Sequence, residues 1–187
     1  MSHLAPILVV EDSEDQVFLL RHAFQKVGIA NPVQVVTCGE DAIDYLSGVG
    51  RYSDWKEFRL PSVVLLDLNL PGLNGLAVLR WIRQQPGLRA LRVAMLTSSE
   101  LSQEINAAYE AGANVFLTKP SALDKLVEMM RAFRAHWLEV AQAPKISRPV
   151  QKSGETSFPR QSRAITGSAP QRPGISQSVG TFVGMRP

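Results

Sequence analysis

The 187 residues are 45% hydrophobic and 20% charged, which supplies one apolar core and excludes a wholly disordered chain. One cysteine, Cys38, excludes an internal disulfide and a cysteine-rich zinc site. The net charge of +3 divides unevenly: residues 1–143 carry −3 and residues 144–187 carry +6, so the basic balance describes the C-terminal stretch.

Within residues 1–143 short aliphatic runs alternate with segments of helical period. Pro6–Val10, Val33–Val36, Val63–Leu66, Leu91–Leu96 and Val115–Leu117 read as strands. Between them, Val17, Leu20, Phe24 and Val27 recur at three and four, as do Leu76, Leu79 and Ile82, then Leu101, Ile105 and Ala108. Ser13 with Gln16, Thr37 with Glu40, and Ser121 with Asp124 have capping-box spacing, and Gly28 and Gly112 stand where helices would end. Strands that read as continuous apolar runs and alternate with helices imply an α/β chain with a five-stranded, doubly wound parallel sheet.

The composition changes at Pro144. Beyond it, 18 of 44 residues are proline, glycine or serine, and no apolar period lasts more than a turn. Residues 144–187 are therefore expected to be a disordered basic tail following a globular domain over 1–143. Residues 1–6 lack the basic and apolar regions of a signal peptide, and no run of about 18 apolar residues occurs, so no membrane span and a cytoplasmic location are expected.

In doubly wound sheets ligands gather at the carboxyl ends of the strands. The residues following the five runs are Glu11 and Asp12; Thr37; Asp67 with Leu68 and Asn69; Thr97 and Ser98; and Thr118, Lys119 and Pro120. Three carboxylates, a hydroxyl and a lysine thus project from one edge. Carboxylates so close repel one another unless a cation lies among them, and an oxygen-only set with open positions suits Mg²⁺. Lys119 and Thr97 could meet phosphoryl oxygens, so the set describes phosphoryl transfer onto an aspartate. Each piece alone is more often a helix cap or a turn; agreement at four strand ends carries the reading.

At these residues the sequence resembles the receiver domain of two-component response regulators. ILVVEDSED is similar to the family's first strand and acidic pair, VVLLDLNLPGLNG to its third strand and phosphoacceptor, and AMLTSS and NVFLTKP to the ends of strands four and five. The resemblance implies a flavodoxin-like strand order 2-1-3-4-5 and Asp67 as phosphoacceptor. Mg²⁺ or Mn²⁺ would be held by Asp12, Asp67 and the backbone carbonyl of Asn69, with Glu11 acting through water or from the outer shell. It further implies Thr97 and Lys119 against the phosphoryl group, a cis peptide bond before Pro120, and Phe116 at the family's aromatic switch position. Phe116 lacks the tyrosine hydroxyl found in many members and can equally be core. The segment Gly48–Leu60 and the long last helix resemble the single-domain regulators paired with bacterial phytochromes.

The resemblance implies a phosphorelay switch that takes its phosphoryl group from a sensor histidine kinase, of bacteriophytochrome type, and signals through protein contacts or passes the group to a further phosphotransfer protein. Self-catalysed transfer and autodephosphorylation are the only chemistry expected, so the chain is not expected to be an enzyme in the ordinary sense. A haloacid-dehalogenase-like phosphohydrolase needs an acid two residues after the nucleophile, where Asn69 stands. Seven dilute cations in the tail, with Phe158 and Phe182 for stacking, suit at most weak nucleic-acid association and no specific site. His3, His22 and His136 are scattered, and Cys38 reads as a buried structural thiol. On a helical wheel the apolar residues from Leu123 to Val140 span about 180°, more than the roughly 100° a sheet-covering helix needs. The excess predicts a homodimer through the strand-five and last-helix region, with Phe133, Trp137 and Leu138 at its interface.

Overall fold

Four of the five strands are only four residues long, and three of the five are apolar on both sides, so they are stable only when helices cover both faces of the sheet. The structure, a computed structural model, describes residues 4–99, 101–140 and 145–149. Its elements in chain order are β1 (Ile7–Val10), α1 (Glu14–Lys26), β2 (Val33–Val36), α2 (Gly39–Ser47), β3 (Val63–Leu66), α3 (Gly75–Gln84), β4 (Arg92–Thr97), α4 (Ser102–Glu110), β5 (Val115–Thr118) and α5 (Leu123–Phe133). The sheet is parallel throughout, in the order β2-β1-β3-β4-β5, as the resemblance implies. Among the described residues no helix is long and apolar enough to cross a membrane.

Side-chain alternation sorts the sheet into two cores. Leu8, Val10, Val64, Leu66, Val93 and Met95 face α2, α3 and α4. Ile7, Val9, Val63, Leu65, Ala94 and Leu96 face α1 and α5. Register then fixes the functional edge: Val10 lies beside both Val36 and Leu66, so the residues after β1 and β3 emerge side by side.

Helix starts follow the sequence in part. Ser13 caps α1, accepting from the Gln16 amide at 3.4 Å, and Asn74 caps α3 through the Ala77 amide at 2.9 Å. The expected cap at Thr37 moves to Cys38, because Glu40 turns its carboxylate to the Leu73 amide at 3.0 Å instead of back to its own helix. The cap expected at Ser121 moves to Ala122, which offers no side-chain bond. Gly28 (φ 71°) and Gly112 (φ 93°) follow the ends of α1 and α4 in the left-handed conformation. Cys38 is half-buried rather than buried, and burial pushes its thiol above the usual value.

The last helix departs from the wheel. After Phe133 the chain widens into a π-helical turn over Arg134–Val140, where i→i+5 bonding replaces the 100° step on which the arc was drawn. Phe133 is 3% exposed in the core with Leu126 and Met130. Trp137 stacks on it, ring centroids 6.0 Å apart and planes 10° apart, and Leu138 packs on the same cluster. Arg92 ties the turn to β4 by donating to the Trp137 carbonyl at 2.8 Å, and Arg134 donates to the Val27 carbonyl at the end of α1. The face expected to be in excess is thus largely covered by its own domain.

Residues 145–149, expected to belong to the tail, lie on the domain: Ile146 packs on the α2–α4 core, and the Ser147 amide donates to the Gly87 carbonyl at 2.8 Å. His3, Pro144 and the stretch 150–187 with Phe158 and Phe182 lie outside the described residues.

The start of α2 is packed backbone to backbone. A Cβ on Gly39 would stand 2.2 Å from the Leu73 carbonyl oxygen. Gly39→Ala is expected to lower stability by about 1–3 kcal/mol with helix content retained, measured by urea unfolding followed by circular dichroism.

Candidate functional site

Residues leaving adjacent parallel strands at the same level meet at the sheet edge. The Glu11 amide donates to the Val36 carbonyl at 3.0 Å, tying the end of β1 to β2, and the Asp67 amide donates to the Val10 carbonyl at 3.0 Å, stitching the β1 and β3 ends together. The Lys119 amide donates to the Thr97 carbonyl at 2.8 Å, stitching the β4 and β5 ends likewise. The backbone alone therefore brings four of the expected side chains to one edge.

Lys119 crosses this edge. Its Nζ lies 2.8 Å from Asp67 Oδ2 and also pairs with Glu11 Oε2. All three side chains are nearly buried, at 8% exposed for Lys119, 3% for Glu11 and 9% for Asp67. Asp67 Oδ1 accepts the Asn69 amide at 3.2 Å, and Glu11 Oε1 accepts the Ser13 amide at 3.3 Å. Burial pushes the Glu11 carboxyl above its usual 4.5, while its bonds to Lys119 pull the other way.

Glu11, Asp12 and Asp67 each present an oxygen, and these oxygens lie within 4.8 Å of one another. Lys119 pairs with two of these carboxylates and the third, Asp12, is exposed beside them, which leaves an excess of negative charge at the edge. A divalent cation with oxygen ligands matches both the donor set and the charge, and Asp12 and Asn69 keep the pocket open to it. Glu11 enters this set as part of the cluster itself, although its Oε2 is turned to Lys119.

The remaining expected residues fall as follows. Thr97 is fully buried at the end of β4, and its Oγ1 accepts the Ser99 amide at 3.3 Å. Phe116 is half-buried against the α2–α4 core, and its amide donates to the Tyr109 hydroxyl at 3.3 Å. Pro120 follows Lys119 at the edge and is half-buried. Phe133, Trp137 and Leu138 lie in the α1–α5 core and do not join this edge.

Two features escape the sequence. A Cβ on Gly75 would fall 2.0 Å from the Asp67 carbonyl oxygen, so only glycine lets α3 press against the loop that carries Asp67. Helix α4 turns Glu104 into a cleft of about 570 Å³ shared with Asp12 and Asn69, where its Oε2 is buried without a hydrogen-bond partner among the described residues. No spacing rule links residue 104 to residue 12; only the β4–α4 crossover does.

The sheet order, with a lysine joined to two buried acids at its carboxyl edge, defines a receiver-type signalling domain. The chain belongs to the response regulator receiver domain family, which matches residues 7–131. It is similar to the response regulator Rcp1 of Synechocystis sp., 33% identical over 138 residues that cover 74% of this chain and 92% of Rcp1. The crystal structure of RPA3017, a response regulator in red light signalling of R. palustris, superposes with a TM-score of 0.72 at 35% identity, covering 75% of this chain and 99% of that one. Phosphorylated RcpA, a cyanobacterial phytochrome response regulator, gives 0.70 at 30% identity over the same shares, and Rcp1 itself has been solved with Mn²⁺ bound. The protein is therefore a signalling protein of the response regulator receiver family.

Because burial raises the Glu11 pKa, the folded state holds that proton more tightly than the unfolded one. Stability of the cation-free protein is thus expected to fall as pH rises from about 4.5 through the raised folded value, measured by urea midpoints across pH. A divalent cation is expected to reverse this at neutral pH, adding about 2.7 kcal/mol at a hundredfold excess over its Kd. Asp12→Asn is expected to abolish most of that gain in the same titration.

Proposed function

We propose that the chain is a phosphorylation switch in which Asp67 accepts a phosphoryl group from the phosphohistidine of a cytoplasmic sensor histidine kinase, of bacteriophytochrome type. The observation that supports it most is Lys119 held between Asp67 and Glu11, with three acids converging where a transferred phosphoryl group would bring further negative charge. The phytochrome-associated relatives support the kinase class.

An oxygen of Asp67 attacks phosphorus, the phosphorus–nitrogen bond of the donor breaks, and its electron pair returns to the imidazole. When bound, Mg²⁺ at Asp12, Asp67 and the Asn69 carbonyl, with Glu11 alongside, would neutralise charge on the attacking and transferred oxygens. Asn69 N–H holds one Asp67 oxygen and Lys119 the other, so the carboxylate is oriented before a donor arrives. Lys119 then follows the negative charge onto the phosphoryl oxygens. Thr97, whose hydroxyl is turned to Ser99, is the group that must reorient to reach the phosphoryl group, and Phe116 on the neighbouring strand would respond by repacking. The acyl phosphate is later lost to water or passed to a further phosphotransfer protein.

Two tests separate these statements. Asp67→Asn is expected to abolish acid-labile phosphate from a kinase or a small phosphodonor; undiminished labelling would overturn the assignment. Lys119→Ala is expected to impair the switched response more than the fold, measured by phosphate uptake beside thermal stability. Pairing of two copies through the β5 and α5 side remains part of the proposal, with Trp137 and Leu138 contributing only their half-buried flanks. Sedimentation at tens of micromolar is expected to show a dimer.

A further inference from the structure

The sheet edge opposite Asp67 carries a second built feature. There the C-terminal end of α2, the loop Gly48–Leu60 inserted between α2 and β3, and the turn at Gly87 form a cleft defined by their contacts to Ile146–Pro149, with Ser147 at Gly87 and Arg148 at Tyr45, Gly48 and Phe58. We propose that this cleft is a peptide-recognition site whose resident occupant is the chain's own Ile146–Pro149 strap, and that occupancy holds the insertion in place.

Recognition is mainly through backbone. The Ser147 amide donates to the Gly87 carbonyl at 2.8 Å. Arg148 Nη1 donates to the Tyr45 carbonyl at 2.7 Å, and Nη2 donates to the Phe58 carbonyl. One guanidinium therefore bridges the last turn of α2 to the insertion. Helix α2 has two acids in its first turn and no basic residue in its last, so the strap supplies the cation its carbonyl end lacks. Ile146 adds an apolar anchor on the α2–α4 core.

The cleft is shaped for this occupant. A Cβ on Gly87 would stand 2.4 Å from the Ser147 carbonyl oxygen, and one on Gly48 would stand 2.4 Å from Arg148 Nη1. Gly48 also needs its left-handed φ of 69° to end α2, whereas Gly87 has no such backbone demand. Gly87→Ala is thus a wedge against the strap and little else.

The insertion depends on the same bridge. Tyr45, Tyr52 and Phe58 pack edge to face with centroids 5.1 to 6.1 Å apart, and the Tyr45 hydroxyl donates to the Arg59 carbonyl at 2.7 Å. Tyr45 holds one side of the insertion through its ring and hydroxyl, and Arg148 holds Phe58 from the other. Trp55 between them is 68% exposed, so the loop tip does not anchor itself.

Hydrogen exchange on the full chain tests this. Gly87→Ala and Arg148→Ala are each expected to speed exchange across 45–60 at least tenfold, with Glu11–Ser13 and β3 unchanged. Unchanged exchange at 45–60 in both variants, or an equal rise across the whole domain, would overturn the proposal. A synthetic peptide of residues 143–151 is expected to restore protection to Arg148→Ala, where the cleft is intact, and not to Gly87→Ala, where it is blocked. Equal rescue of both, or rescue of neither, would show that the cleft does not read this segment. Protection of wild-type 45–60 that appears only at concentrations where the protein sediments as a dimer would show that a second copy supplies the strap, and would overturn the assignment to the chain's own segment.

Discussion

Everything at the functional edge depends on one cation among three acids. Burying Glu11 and Asp67 together would be prohibitive without a partner, since each loses its water and each repels the other. Lys119 answers both at once, reaching from the end of β5 to acids on β1 and β3. One charge cannot balance three, and the imbalance leaves the pocket ready for a metal ion and for a group that arrives with it. The same lysine that steadies the resting site is the group that the proposed phosphoryl transfer would engage, so in that reading stability and responsiveness rest on the same bond.

That bond exists only because the sheet is parallel and in register. Each strand's carboxyl end must lie at the same edge, and the pairing of Val10 with Leu66 places Glu11 and Asp67 as neighbours. A one-residue slip of β3 would send Leu66 and Asp67 to exchanged faces and put an acid into the helix-covered core. The packed helix faces forbid that slip, because Val64 and Leu66 fill one core while Val63 and Leu65 fill the other. Gly75 tightens the arrangement further by letting α3 press on the carbonyl of Asp67 itself.

The edge was legible in the sequence because strands of four to six residues end where their apolar runs end, and polar residues follow directly. Glu11, Asp67, Thr97 and Lys119 needed only that rule. What escaped it depends on relations that no local period encodes. Glu40 was set in a capping box because the spacing fits, yet the Leu73 amide, 33 residues on, competes for its carboxylate and wins. Trp137 looked surplus because a wheel assumes α-geometry, and the π-turn sets it against Phe133 on their own core. Lys145–Pro149 looked like tail because composition near Pro144 is averaged over many residues, while three well-placed ones, Ile146, Ser147 and Arg148, suffice to dock.

The winding also sorts charge between the two edges. Each strand feeds the amino end of the next helix at the acceptor edge, so helix carbonyl ends collect at the other. Partial positive charge from helix amides therefore favours acids and phosphoryl groups at one edge, and exposed carbonyls favour arginines at the other. The arginines comply: Arg134 meets Val27, Arg148 meets Tyr45, Arg83 meets Gly112 and Leu91, and Arg92 meets Trp137, all through backbone carbonyls. These cations are each engaged by carbonyls away from the acids that Lys119 holds. The edge that gathers the acids and Lys119 and the edge that ties down residues 146–148 are thus two outcomes of one chain direction.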